Sequence, residues 1–281
     1  MSDLKTMISQ IQQQLSKVSS ILATLFIFAF AVSAEVIAVP ASGNTLNKAL
    51  AHSSFGDTLL LASGTFRGRF TIPPGVTLIS DSLHGAKIKA NGRDRAIVLT
   101  NKSSIVALDV SGSKIGVYSG GSENRIEKCR IHHNEQSGIS AVGYGVQISD
   151  NIVYRNGGSG IQLWDIPQSD FTIQNNTIVF NKNHGISIGG ESDIHFFNNI
   201  VAYNSRLTIK AEPKVKMLQE FNVYYFNAEI NMALPENNFS FNPKFYAPSK
   251  DLYYVTEDSH CLKNGRDGVI IGTRIYSHLY N

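Results

Sequence analysis

Short runs in which apolar and polar positions alternate recur through the middle of the chain, each closed by a turn rich in Gly and Asn. Gly138-Ile139-Ser140-Ala141, Gly160-Ile161-Gln162-Leu163 and Gly185-Ile186-Ser187-Ile188 form one series, which weakens into Thr208-Ile209-Lys210-Ala211 and Asn231-Met232-Ala233-Leu234. Period-two alternation places Ile139, Ile161, Ile186, Ile209 and Met232 inside and leaves Ser140, Gln162, Ser187, Lys210 and Ala233 outside. A second series contains Ile152-Val153-Tyr154 and Thr177-Ile178-Val179-Phe180, and a third contains Gly145-Val146-Gln147-Ile148, Phe171-Thr172-Ile173 and Ile194-His195-Phe196.

Two columns of asparagine set the period. Asn134, Asn156, Asn181, Asn204 and Asn227 are separated by 22, 25, 23 and 23 residues, and Asn151, Asn176, Asn199 and Asn222 follow at a matching offset with Cys129 in the first place. Asn tolerates the left-handed backbone of tight turns, and amides one coil apart can bond up a stack, so both columns read as structural. Phe180, Tyr203 and Phe226 repeat at the same step and read as an aromatic stack.

Three strands per repeat without intervening helices predict an all-β chain, a single-stranded right-handed parallel β-helix with coils of about 22–25 residues. Looser repeats at Val76-Thr77-Leu78-Ile79, Ala96-Ile97-Val98-Leu99 and Ile105-Val106-Ala107-Leu108 extend the solenoid upstream. Its ends need covers. A short helix near 45–51, capped by Asn44 or Thr45 with Leu46, Ala49 and Leu50 on one face, serves at the N-terminus. From about residue 235, Pro235, Pro243 and Pro248 with Gly265, Gly268 and Gly272 predict an irregular C-terminal cover.

Composition narrows the function classes. With 25 Lys+Arg against 22 Asp+Glu the formal charge is only +3, so no nucleic-acid partner is expected. Two cysteines, Cys129 and Cys261, support neither a disulfide framework nor a Cys-based zinc site. His132-His133 does not chelate one ion, because neighbouring strand residues point to opposite faces. The apolar run Ile21 to Val32, ending in Val32-Ser33-Ala34, predicts a signal peptide over 1–34 ahead of one domain, 35–281. The protein is thus expected to be secreted or periplasmic, with membrane attachment only through an uncleaved anchor spanning 18–39.

The chain resembles the pectate-lyase-like superfamily of right-handed β-helix proteins. The resemblance rests on the opening Thr45-Leu46-Asn47-Lys48-Ala49-Leu50, then Gly56-Asp57-Thr58-Leu59-Leu60-Leu61 and Gly64-Thr65-Phe66, on the repeats, and on the closing Asn242-Pro243-Lys244-Phe245 with Ile271-Gly272. It implies a polysaccharide partner and specifies the fold more strongly than the reaction. The Asp-Pro-His motif of mannuronan epimerases has no counterpart, Trp164-Asp165-Ile166-Pro167 being the nearest stretch, and the clustered acids of calcium-dependent pectate lyases are absent. No cofactor and no metal site are therefore expected; calcium is possible but has no support in the sequence.

Lyase-type β-elimination on a uronate polymer needs a cation for the carboxylate, a base for the C5 proton and a surface that orients the chain. Column alignment stacks Gln162, Ser187 and Lys210 and gathers Lys182, His184, Arg206 and Lys210 over two coils. Arg206 and Lys210 are the candidate anion ligands, and His184 is the candidate base. Trp164 and Tyr118 offer aromatic faces to sugars, and Asp165 is a candidate acid. The alternative is a non-catalytic glycan-binding or cell-surface β-helix using the same sheet as a platform.

Overall fold

Strands with the predicted spacing stack in parallel, coil on coil, because each short apolar run can bury its inner face only against the coils above and below. A computed structural model describes residues 33–164, 169–228 and 234–276. Ala34–Asn281 is one compact unit. A nine-stranded parallel sheet runs from Val36–Val39 to Lys216–Glu220, and a thirteen-stranded sheet folds around the other two faces of a right-handed parallel β-helix. Ala86–Leu99 and Asp109–Ser119 are long strands shared by both of those faces.

One face, the Gly-Ile face, pairs Val117–Ser119 of the long strand with Ile139–Ala141, Ile161–Leu163, Ile186–Ile188 and Ile209–Ala211. The next, the ladder face, stacks Arg130–His132, Ile152–Tyr154, Thr177–Val179, Ile200–Ala202 and Val223–Tyr225 between the two asparagine columns. Ile139, Ile161, Ile186 and Ile209 are buried as the alternation requires. Met232 and Ala233 lie outside the described residues, as does the predicted signal segment up to residue 32.

Both asparagine columns are continuous ladders. Asn134, Asn156, Asn181 and Asn204 each donate from Nδ2 to Oδ1 of the next asparagine at 2.9–3.0 Å, and each backbone N–H shares that acceptor. The other ladder runs Asn151, Asn176, Asn199, Asn222 and then Asn238, a rung absent from the sequence reading. The left-handed residue is not the ladder asparagine, as expected from the sequence, but the residue before it: Asp150, Asn175, Asn198 and Phe221 in one column, and His133, Arg155, Phe180, Tyr203 and Phe226 in the other. The asparagine side chains are committed to the stack, and the tight turn is made one position earlier.

The N-terminal helix is Thr45–His52, with Leu46 and Leu50 buried. Asn44 occupies its cap position but its side chain makes no capping bond, while Thr45 Oγ1 donates back to Pro40 O and Ser42 O. The C-terminal segment builds an antiparallel hairpin, Phe245–Ala247 with Leu252–Val255. Tyr253, Val255, Cys261 and Ile271 pack on Ile152, Tyr154, Val179, Ile200 and Val223, so the cover lies on the ladder face. Arg274 fastens it, with Nε and Nη2 donating to the Asp150 carboxylate at 2.9 and 2.7 Å. Cys129 and Cys261 are both free and buried, and burial pushes each thiol up to about 12. No helix of the described residues is long and apolar enough to cross a membrane.

Candidate functional site

The Gly-Ile face carries the residues singled out for carbohydrate chemistry. Its outward column, fixed by strand register, is Val98, Tyr118, Ser140, Gln162, Ser187 and Lys210. Successive positions lie about 4.8 Å apart along the solenoid axis, so the strip presents one side chain per coil in a straight row. Gln162 is held by Ser137, whose Oγ donates to Oε1 at 2.8 Å. Trp164 follows its strand by one residue, 49% exposed as a residue and with its Nε1 donating to Ser140 Oγ at 2.9 Å. The indole covers Ser140, which is 1% exposed although alternation places it outward.

The predicted basic residues are divided between the turns and the strand. Arg206 N bonds to Asn183 O, and Lys182 N to Asn156 O, so the two side chains sprout from adjacent turn columns just ahead of the strand that carries Lys210. Lys182, Arg206 and Lys210 are exposed, and none is in an ion pair among the described residues. His184 differs from them, being 7% exposed. It occupies the position of Ser137 and Ser159 in the preceding coils, both buried, so the stacked turns enclose it. Asp165 lies outside the described residues.

Tyr118 is half-buried, and one face of its ring is taken by the Arg95 guanidinium, 3.8 Å from the centroid. Sequence reasoning missed Arg95, whose register partner is Ile115 at the approach to the strand. It adds a guanidinium at the upstream end of the strip, its Nε 3.5 Å from the Asp94 carboxylate, with the open Lys210 at the downstream end.

Two hollows lie elsewhere, on the nine-stranded face. One, of about 430 Å³, is lined by Lys102, Ser104, Glu123, Arg125, Gly145 and Gln147; the other, of about 610 Å³, includes Glu191, Asp193, Lys214 and Lys216. Their lysines are paired with acids: Lys102 with Glu123 at 3.6 Å, Lys216 with Asp193 at 4.0 Å, and Lys214 with Glu191. The second hollow is thus balanced, two acids against two lysines, and the first keeps one exposed cation, Arg125, that is in no ion pair among the described residues, so both attract a polyanion less than the three open cations of the Gly-Ile face.

Residues 76–212 match the family model described as "Right handed beta helix region". The chain carries a right-handed β-helix. Solved structures agree on that fold at low identity. Pectate lyase Pel9A is similar over 84% of this chain and 93% of its own, at 14% identity and a TM-score of 0.55. A mannuronic acid specific polysaccharide family 6 lyase from human gut microbiota is 13% identical over 68% of this chain and 54% of its own, with a TM-score of 0.52. The A-module of mannuronan C-5 epimerase AlgE6 from Azotobacter vinelandii is 14% identical over 66% of this chain and 65% of its own, with a TM-score of 0.50. No curated protein matches the chain significantly. The β-helix thus shares its architecture with proteins whose names place them on pectate and mannuronate polymers, and the resemblance to the pectate-lyase-like superfamily holds for the fold.

Proposed function

We propose that this β-helix is an exported protein that acts on an acidic, uronate-containing polysaccharide along the Gly-Ile face, with β-elimination as the reaction. The observation that carries the reading is the open cation group: Lys182 and Arg206 in the turns that lead into the Gly-Ile strands, and Lys210 on the outward column that also carries Gln162. The named activities of the similar β-helices support the same substrate class.

In the proposed reaction Arg206 and Lys210 bind the C6 carboxylate and stabilise the negative charge that builds on it as the C5 proton leaves. His184 takes that proton. The freed electron pair forms the C4–C5 double bond, the C4–O bond breaks, and Asp165 protonates the departing glycosidic oxygen. Trp164 stacks on a sugar ring, Gln162 and Lys182 position the strand, and Tyr118 with Arg95 binds its far end.

The burial of His184 favours a second reading, a glycan-binding β-helix without turnover. The two separate in one experiment: purified protein is incubated with alginate, polygalacturonate and glycosaminoglycans, with and without calcium, and the ultraviolet absorbance of the unsaturated product is followed. Product with any of them supports elimination. Binding without product in every case removes elimination and leaves the binding protein.

A further inference from the structure

Upstream of the C-terminal cover, the ladder face is open and strongly basic. Strand register stacks Thr65, Lys87, Asp109 and Arg130 in one outward column, and Arg67, Lys89, Ser111 and His132 in the next. Phe66, Ile88, Val110 and Ile131 point inward between them and are buried. Arg67, Lys87 and Lys89 are exposed and are in no ion pair among the described residues.

The downstream end of this grid is pre-set by packing. Arg130 Nη2 donates to Tyr154 Oη at 2.6 Å, and His132 lies stacked on the Tyr154 ring with centroids 4.8 Å apart. His132 Nε2 is 3.2 Å from Asp109 Oδ1. One coil further on the cover begins, with Tyr253 against Tyr154 at 5.0 Å. Three open cations, Arg67, Lys87 and Lys89, and the half-buried Arg130 therefore share this face with the buried carboxylate of Asp109.

We infer that this grid is a second, non-catalytic anchoring face for an acidic polysaccharide, one bearing carboxylate or sulfate groups. It rests on the reading that the chain engages acidic glycans, and adds to it a contact on a different face of the helix. Rungs about 4.8 Å apart present cations at regular steps, which suits a stiff polymer with a charge on each unit. Nucleic acid fits less well, because the grid has no exposed aromatic ring on which a base could stack. A lipid surface fits less well because no exposed apolar side chain stands among the cations. Side chains already held in place, such as Arg130 and His132, lose little freedom on binding.

The test is a Lys87→Glu/Lys89→Glu variant of the full chain, compared with wild type and with Arg206→Ala/Lys210→Ala for retardation in gels containing alginate, polygalacturonate, heparin or double-stranded DNA. The expected result is retention by the acidic glycans about fivefold weaker or more, with a shallower salt dependence, and a further loss when the two pairs of changes are combined. Lys87→Gln/Lys89→Gln should fall in the same direction by less, so a variant that fails to fold does not decide the matter. Retention within about twofold of wild type for both Lys87/Lys89 variants would overturn the anchor while leaving the Gly-Ile face reading intact if Arg206→Ala/Lys210→Ala still weakens it. Stronger retention by DNA than by any glycan would overturn the assigned partner. A wild-type protein that no acidic glycan retards would overturn the polysaccharide reading itself, and the anchor with it.

Discussion

Trp164 is tied to Ser140 across one coil, its indole N–H on the serine Oγ at 2.9 Å, so a half-exposed aromatic ring is fixed in orientation over a buried hydroxyl. An aromatic ring clamped in this way meets a sugar without first losing its own rotational freedom. Trp164→Ala should weaken binding of a uronate oligomer about tenfold, and Ser140→Ala, which leaves the ring but frees it, by about two- to threefold. Isothermal calorimetry with both variants checks this. Equal affinity for wild type and Trp164→Ala would remove Trp164 from the site.

The cation group and His184 should separate in kinetics if elimination occurs. Loss of Arg206 or Lys210 removes carboxylate contacts and should raise KM and lower kcat, whereas His184→Gln should lower kcat about a hundredfold or more with KM little changed. A His184→Gln enzyme with wild-type kcat would place the base elsewhere, and the enclosed position of His184 makes this a demanding test.

The register of the Gly-Ile face was legible because the spacing of identical residue types is the spacing of the coils: Gln162, Ser187 and Lys210 pair as the period demands. Asn238 was not, since it reaches its ladder 16 residues after Asn222, by a short coil that breaks the period. The enclosure of His184 depends on how consecutive turns stack, which alternation within strands does not encode. The basic grid did leave a signal, because Phe66, Ile88, Val110 and Ile131 recur at steps of 22, 22 and 21 with polar flanks. It was obscured because the coils before Asn134 lack the continuous asparagine columns that mark the later ones.

Asn181 sits in the middle of its ladder, donating to Asn204 Oδ1 and Val153 O while its own Oδ1 accepts from Asn156. Asn181→Leu keeps comparable bulk but leaves the backbone N–H and side-chain amide of Asn156 without their acceptor. Denaturant unfolding should show a loss of about 1–3 kcal/mol. A change within about 0.5 kcal/mol would mean that the rungs are satisfied in some other way.

The cover should be separable from the solenoid at one point. Arg274 holds Asp150 with two side-chain bonds, and Asp150 is itself buried. Arg274→Ala should lower stability by about 2 kcal/mol, the range for bonds to a charged group. Limited proteolysis should then cut first within residues 242–276, exposing Ile152, Val179 and Ile200. First cleavage among the coils, with the cover intact, would show that the latch is not what holds it.

His84 makes stability depend on pH in a defined direction. It is buried with Nε2 on Lys128 O, and burial, aided by the charges of Arg130 and His132, pushes its pKa from the ordinary 6.5 down to about 4. Between those two values the unfolded chain takes up a proton that the folded chain does not, so stability falls as the pH is lowered through that window, by on the order of 3 kcal/mol in all. Asp109 acts below it: burial would raise its pKa, but the hydrogen bond and charge of His132, with Arg130, hold it down, so its contribution is lost only at more acid pH. His84→Asn, chosen because Asn tolerates the left-handed backbone found there, should start out less stable but lose much less between pH 7 and pH 4. Urea unfolding at a series of pH values tests this, and parallel curves for the two proteins would show that the ring is not kept neutral by burial.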